Sequence, residues 1–133
     1  MSSRKLIKGI LLILWCIVIY SFSAANGAAS QQLSDGFLQR VGLLQLPYAG
    51  TLIRKLAHFL EYGILALLIE SFLEEYLLKK TYRTAFLLAL FYAVSDELHQ
   101  LFVAGRAGMW QDVLIDGAGA LIFLLILHQR KRN

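Results

Sequence analysis

Acidic and histidine side chains recur inside the apolar segments of this chain, where charge is costly. They cluster at the start of the second segment, the end of the third and the start of the fourth, and they are His58, Glu61, Asp96, Glu97, His99, Asp112 and Asp116. A charged side chain at bilayer depth costs roughly 2.5–3.5 kcal/mol on insertion scales, so it is rare and usually functional. Carboxylates paired with histidines can move protons or bind a divalent cation.

Helical spacing gives these residues common faces. Residues three or four positions apart lie on one side of a helix, and the pairs with that spacing are Lys55 with His58, His58 with Glu61 and Tyr62, Asp96 with His99 and Gln100, and Asp112 with Asp116. Lipid cannot solvate carboxylates, so we expect these faces to point toward one another or toward a wet cavity.

Arg106 lies in the link between the third and fourth apolar segments, close to Gly105 and Gly108. Glycine lets the backbone turn sharply there. The guanidinium can then fold back over the carboxylates, or it can bind an anionic ligand, for which its planar fork is suited.

The elements that position these residues are predicted to be membrane-spanning helices. The chain has 133 residues, of which 58% are hydrophobic, a composition that does not describe a soluble globular protein. A spanning helix needs about 20 mostly apolar residues, and helices are predicted over residues 6–22, 56–73, 85–103 and 110–127. The predicted fold is therefore all-α, a four-transmembrane-helix bundle in which residues 1–133 form a single membrane domain.

Charge in the loops predicts the orientation of this bundle. Most of the 13 basic residues flank the ends that include both termini, and they are Arg4, Lys5, Lys8, Lys79, Lys80, Arg83, Arg130, Lys131 and Arg132. Under the positive-inside rule both termini are cytoplasmic, and the polar cluster lies at the outer face. The basic clusters are thus topology signals, and nucleic acid is not an expected partner.

The first outer loop, residues 23–54, is predicted to contain a short helix. Residues 23–34 are rich in small and polar side chains, which favours irregular structure. Ser34 could then cap a helix that starts at Asp35 and ends before Pro47. Its apolar face would lie at the membrane interface or cover the bundle as a lid, and would consist of Phe37, Leu38, Val41 and Leu44.

The first apolar segment has two interpretations. A basic start, an apolar run and the small residues after Phe22 are typical of a secretory signal with a cleavage site. The run from Leu6 to Phe22 is longer than an ordinary signal core, which favours an uncleaved membrane anchor. Either interpretation leaves the other three helices in place.

Four motifs in a fixed order resemble the VanZ-like family of small bacterial membrane proteins. They are KLAHFLEYG at residues 55–63, SDELHQLF at residues 95–102, Gly105 with Arg106, and DVLIDGAG at residues 112–119. The resemblance implies a multi-pass protein of the bacterial cytoplasmic membrane. The family's namesake is associated with resistance to the glycopeptide antibiotic teicoplanin, whose target is a cell-wall precursor displayed outside the membrane. The resemblance does not specify a reaction.

Two functions fit the polar cluster best. The first is a non-catalytic pocket at the outer face that binds an envelope lipid, a lipid-linked cell-wall precursor or an antibiotic. Its candidate ligand-binding residues are Lys55, Tyr62, Gln100, Arg106, Asp112 and Asp116. The second is a membrane enzyme that performs acid–base or metal-assisted chemistry on a lipid-linked envelope substrate. Its candidate catalytic residues are His58, Glu61, Asp96, Glu97 and His99.

Three further alternatives stay open from the residues alone. A divalent metal could bind through nitrogen and oxygen ligands, although no familiar metal motif is present, and the candidate ligands are His58, His99 and Asp96. A small transporter or proton-coupled protein is possible because intramembrane acid–histidine chains suit proton transfer. The cluster could also be a structural polar core. The sequence does not predict an oligomeric state.

Overall fold

The computed structural model describes residues 3–25, 27–76 and 81–133, which form helices joined by turns. The helices are α1 (Ser3–Ala24), α2 (Gly27–Arg40), α3 (Ala49–Leu73), α4 (Thr81–Gln100) and α5 (Trp110–Arg132). The described residues contain no strand, so the all-α prediction is confirmed for them. Lys79 and Lys80, two of the basic residues used to orient the chain, lie outside the described residues.

The helix ends differ from those that hydropathy predicted. α3 already begins at Ala49 and α5 continues to Arg132, because polar residues can extend the backbone hydrogen bonding of an apolar helix. The prediction that the third apolar helix reaches residue 103 is wrong, since α4 ends at Gln100. Residues 101–105 instead form turns closed by hydrogen bonds between residues three positions apart.

The helix in the first loop is present, but its predicted position is wrong. α2 includes residues 27–34, which were expected to be irregular, and Ser34 lies inside the helix instead of capping it. The Ser34 hydroxyl donates to the carbonyl of Ser30 one turn earlier, so it is satisfied without ending the helix. Within the predicted apolar face, Leu38 is buried and is 2% exposed.

α2 also ends earlier than Pro47, the residue before which it was predicted to end. Gly42 adopts a φ of 75°, the left-handed conformation that commonly follows a helix C-terminus, and the helix stops at Arg40. Val41 and Leu44 therefore lie beyond the end of the helix. Pro47 lies in the turn before α3 and has no part in ending α2.

Three helices, α1, α3 and α5, are long and apolar enough to cross a membrane. α4 has 20 residues, which corresponds to about 30 Å at about 1.5 Å per residue. Its sequence is interrupted by Arg83, Asp96 and Glu97, and it is not among the candidate spans of the described residues. The membrane character of the chain thus rests on three helices, where four were predicted.

α3 is the central helix and contacts each of the other four. It runs antiparallel to α1, since Lys8 near the start of α1 bonds to Glu75 just after α3. This hydrogen bond lowers the pKa of Glu75 below its usual range. Halfway along the two helices, the Trp15 indole donates to the carbonyl of Glu61 at 2.9 Å.

The backbones of α3 and α5 approach each other closely at Gly119. A Cβ atom at this position would lie 2.1 Å from the carbonyl oxygen of Phe59. Small residues permit such close helix contacts in membrane proteins. The contact brings the N-terminal halves of α3 and α5 within reach of each other's side chains.

Candidate functional site

The polar ends of four helices meet at one end of the bundle, which we call the site end. It comprises the C-terminal ends of α1 and α4 and the N-terminal ends of α3 and α5. His58 of α3 lies beside Asp116 of α5, and Arg106, which follows α4, bonds to the carbonyl of Phe22 near the end of α1. Because the helices alternate in direction, the candidate residues of three helices converge here.

His58, Glu97 and Asp116 come together from α3, α4 and α5. One nitrogen or oxygen atom of each lies within 4.8 Å of the corresponding atoms of the other two. His58 Nδ1 is 3.3 Å from Asp116 Oδ1, without the alignment of a hydrogen bond. Asp116 is completely buried, and neither of its oxygens accepts a hydrogen bond from the described residues. A buried carboxylate in this condition is costly unless something neutralises it.

Glu97 is held in this group by the start of α5. Its Oε2 accepts a hydrogen bond from the backbone N–H of Met109 at 2.8 Å. Met109 is the N-cap residue of α5 and has no side-chain cap of its own, so Glu97 supplies an acceptor from α4. The other oxygen, Oε1, is buried and has no partner among the described residues.

Lys55 in the second turn of α3 and Asp112 in the first turn of α5 form an ion pair. The Lys55 Nζ lies 2.9 Å from Asp112 Oδ1, and both side chains are partly exposed. Two residues predicted to bind a ligand are therefore already paired with each other. The pair also fixes the register of the two helices that carry His58 and Asp116.

An open cavity of about 200 Å³ lies beside the three-residue group, between α1, α2, α3 and the end of α4. Its charged lining consists of Arg54, His58, Glu61, Asp96 and Arg106. Apolar side chains complete the wall, and they include Ile19, Phe22, Leu33 and Ile53. A concave site with apolar walls and a few convergent polar groups is typical of a small-molecule site.

Asp96 is oriented by its neighbour one turn later. Gln100 Nε2 donates to Asp96 Oδ2 at 3.3 Å, and both side chains are buried. Asp96 contributes to the cavity wall, whereas Gln100 does not. The predicted ligand-binding residue Gln100 thus acts in this structure as a support for Asp96.

Arg106 folds back toward α1, not onto the carboxylates. Its Nε donates to the carbonyl of Ala25 at 3.1 Å, and a terminal nitrogen donates to that of Phe22 at 2.9 Å. A cation is favourable beside the unpaired carbonyls at a helix C-terminus. Burial lowers the pKa of the Arg106 guanidinium, which starts so high that the group stays charged.

Two predicted site residues lie apart from the three-residue group. His99 packs against Tyr20 of α1, with ring centroids 5.0 Å apart. Tyr62 is completely buried in the core beside Tyr92, and its hydroxyl has no hydrogen-bond partner in the described part of the chain. Neither lines the cavity.

The predicted set of metal ligands differs from the set that comes together. Spacing within each helix indicated His58, His99 and Asp96, but in the structure Glu97 and Asp116 accompany His58. Spacing shows which residues share a helix face, and it does not show which residues of different helices meet.

Arg54 is a site residue that the sequence analysis did not single out. It lines the cavity, and one of its terminal nitrogens donates to Gln31 Oε1 of α2 at 2.6 Å. Its position four residues before His58 could have indicated the same helix face. The contribution of α2 could not have been found in this way, because its first residues were expected to be irregular.

These features define an all-α membrane protein with a buried polar cluster at one end of its helices. The model of the VanZ/LLP1 family matches residues 9–130, and the chain belongs to this family. The match confirms the resemblance carried by the four motifs. No curated protein and no solved structure matches the chain.

Proposed function

We propose that this protein crosses the bacterial cytoplasmic membrane four times and binds the anionic headgroup of an envelope lipid or lipid-linked cell-wall precursor at its outer face. Through this binding it would act in the response to teicoplanin-type glycopeptide antibiotics. The observation that carries the proposal is the cavity at the site end, where Arg54 and Arg106 stand beside an apolar wall. An amphiphile needs both surfaces.

The topology in this proposal treats α4 as the fourth span. α4 contacts α1, α3 and α5, and its polar C-terminal end shares the site end with the other helices. Glu97 and Asp96 are buried among neighbouring helices, where lipid does not have to solvate them. Both chain termini then lie at the opposite end, with most of the basic residues, which the positive-inside rule assigns to the cytoplasm.

The chemistry of the cavity fits an anionic headgroup attached to an apolar chain. Arginine binds phosphate and carboxylate oxygens through its fork of N–H groups. Phe22 and Leu33 line the cavity and are also 50% and 60% exposed, so an apolar chain could leave the cavity across them toward the bilayer. α2, the helix of the first loop, forms one wall of the cavity through Ser30, Leu33 and Ser34.

A membrane enzyme is the second candidate, and the approach of His58 to Asp116 favours it. His58 lines the cavity, while its Nδ1 lies 3.3 Å from a buried carboxylate oxygen that can orient the ring. A histidine held in this way can act as a general base toward a bound substrate. Binding and catalysis would then use the same cavity. The two functions are distinguished by whether the bound ligand is chemically changed.

Binding can be measured with the purified full-length protein in lipid nanodiscs. We expect a fluorescent polyprenyl-diphosphate-linked cell-wall precursor to bind, and we expect Arg54→Gln to weaken its binding at least tenfold, which corresponds to about 1.4 kcal/mol. The matched control is Arg40→Gln, which removes an exposed arginine that does not line the cavity. Equal binding by wild type and Arg54→Gln would contradict the proposal. Binding of phosphatidylglycerol in a matched nanodisc would identify an ordinary envelope lipid as the ligand.

The same variants distinguish binding from catalysis in cells. Expression of the wild type should raise the concentration of teicoplanin needed to stop growth, and Arg54→Gln should remove the effect. Unchanged precursor masses in wild-type cells support a binding function. A changed precursor mass that reverts in His58→Gln supports the enzyme instead, and no effect on either readout argues against both.

A further inference from the structure

We propose that His58, Glu97 and Asp116 bind one divalent transition-metal ion of the Zn²⁺ or Mn²⁺ type, at the boundary between the buried core and the cavity. The inference goes beyond the proposed function, because metal binding requires no envelope lipid. It rests on the convergence of three ligand atoms from α3, α4 and α5 within 4.8 Å of one another.

Unpaired buried oxygens are the first reason to expect a cation. Oδ2 of Asp116, which is 0% exposed, and Oε1 of Glu97 have no hydrogen-bond donor among the described residues. His58 Nδ1 and Asp116 Oδ1 are also buried, and the contact of 3.3 Å between them lacks the alignment of a hydrogen bond. In proteins such atoms are nearly always satisfied. A metal ion would satisfy all three side chains at once.

Charge balance is the second reason. Two carboxylates and a neutral imidazole carry a charge of −2, which one divalent ion cancels. No lysine or arginine of the described residues forms an ion pair with Glu97 or Asp116, since Lys55 pairs with Asp112 and Arg106 donates to backbone carbonyls of α1. A buried net charge is strongly unfavourable.

The geometry needs only small movements to close around an ion. Tetrahedral coordination at about 2.0–2.2 Å separates ligand atoms by roughly 3.4 Å. The three ligand atoms lie within 4.8 Å of one another, and rotation of the side chains can close the difference. Met109 already fixes Glu97 through Oε2 and leaves Oε1 available. Such a second contact orients a metal-ligating carboxylate.

The ligand types select the class of metal. Imidazole suits Zn²⁺ and related ions, carboxylate also suits Mn²⁺, and the group contains no sulfur. Three protein ligands leave a coordination position open, as in catalytic zinc sites. His58 also lines the cavity, so this open position could accept an oxygen atom of a ligand bound there.

The test is metal binding by the full-length protein after chelator treatment and gel filtration in detergent. Titration with Zn²⁺ alone, followed by desalting and elemental analysis, should give one equivalent per chain. Asp116→Asn and Glu97→Gln should each weaken Zn²⁺ binding at least tenfold. The matched control is Glu70→Gln, which alters another completely buried carboxylate, at the opposite end of the bundle. It should bind Zn²⁺ like the wild type.

X-ray absorption at the zinc edge of the wild type makes the test independent of variant folding. We expect oxygen ligands and one imidazole, without sulfur. A sulfur ligand would mean a site other than the imidazole and carboxylate group and would overturn the proposal, as would a folded wild type that retains no Zn²⁺. Equal Zn²⁺ affinity of Asp116→Asn and wild type would overturn it as well. Because lipid is absent from this experiment, its failure leaves the proposed lipid binding untouched.

Discussion

At the level of single residues, Asp116 shows what spacing alone can and cannot predict. Its place in an apolar helix, four residues after Asp112, marks it as a candidate for a polar face. Only the packing of α5 against α3 shows that the two acids have different partners. Asp112 meets the ammonium group of Lys55, whereas Asp116 lies beside the imidazole of His58 without a hydrogen bond. The sequence predicts the group, and tertiary contacts assign the roles.

Gly119 provides a residue-level prediction about this packing. In Gly119→Ala the new methyl group would lie 2.1 Å from the backbone oxygen of Phe59. This oxygen belongs to the backbone of α3, which cannot move aside as a flexible side chain could. We expect the free energy of unfolding to fall by about 1–3 kcal/mol, measured by thermal or denaturant unfolding in detergent. Separation of α3 from α5 should also weaken Zn²⁺ binding.

Gly36→Ala is the matched control, because a Cβ atom at Gly36 in α2 has no other atom within 4 Å. Alanine favours a helix over glycine by about 1 kcal/mol, so this variant should be as stable as the wild type or slightly more stable. If both alanine variants behave alike, the close contact of α3 and α5 does not limit stability.

At the level of elements, α2 was the hardest part of the fold to predict. Its first residues are small and polar, a composition shared by loops and by exposed helices. What fixes it lies elsewhere in the chain: Gly27 donates its backbone N–H to the carbonyl of Ala104, and Arg54 bonds to Gln31. The spanning helices were easier, because about 20 consecutive apolar residues have few alternatives.

Leu38 anchors α2 over the cavity, which gives a prediction at the level of this element. Leu38 is 2% exposed, whereas the adjacent Phe37 is 52% exposed. Placing an unpaired charge in the buried position should destabilise α2 by roughly 2–4 kcal/mol. We therefore expect hydrogen exchange within residues 27–40 of Leu38→Asp to be at least thirtyfold faster, as mass spectrometry would measure, with little change in α3 and α5.

Phe37→Asp is the control for this experiment, since it places the same charge one position away on the exposed side of α2. It should leave the exchange of residues 27–40 close to that of the wild type. Should the two variants exchange equally fast, burial of Leu38 is not what holds α2 in place. Precursor binding measured on the same samples would show whether the cavity needs its cover.

At the level of the whole molecule, the two ends of the bundle differ in chemistry. Both ends contain ion pairs that join helices, but the site end also holds the group of His58, Glu97 and Asp116, whereas the carboxylates of the other end have lysine or hydroxyl partners. There Lys131 bonds to Glu74, and Thr81 donates to the buried Glu70 at 2.8 Å. Lys8 of α1 bonds to Glu75 at the same end. α1 thus contacts α3 at this end, and it contacts α3 again halfway along the two helices through Trp15.

This asymmetry predicts opposite accessibility for the two ends in the cell. The single cysteine can be removed by Cys16→Ser. A new cysteine can then be introduced by Leu46→Cys, in the exposed turn before α3, or by Asn133→Cys at the C-terminus. In intact cells of a bacterium without an outer membrane, a charged maleimide should label Leu46→Cys at once and Asn133→Cys only after lysis. The reason is the excess of Lys and Arg at the end that contains both termini, because positively charged loops stay in the cytoplasm during insertion.

The reverse labelling pattern would place the cavity at the cytoplasmic face, so that its ligand could not come from the outer face. Labelling of both cysteines from outside would mean that α4 does not span, which would contradict the parallel packing of α3 and α5.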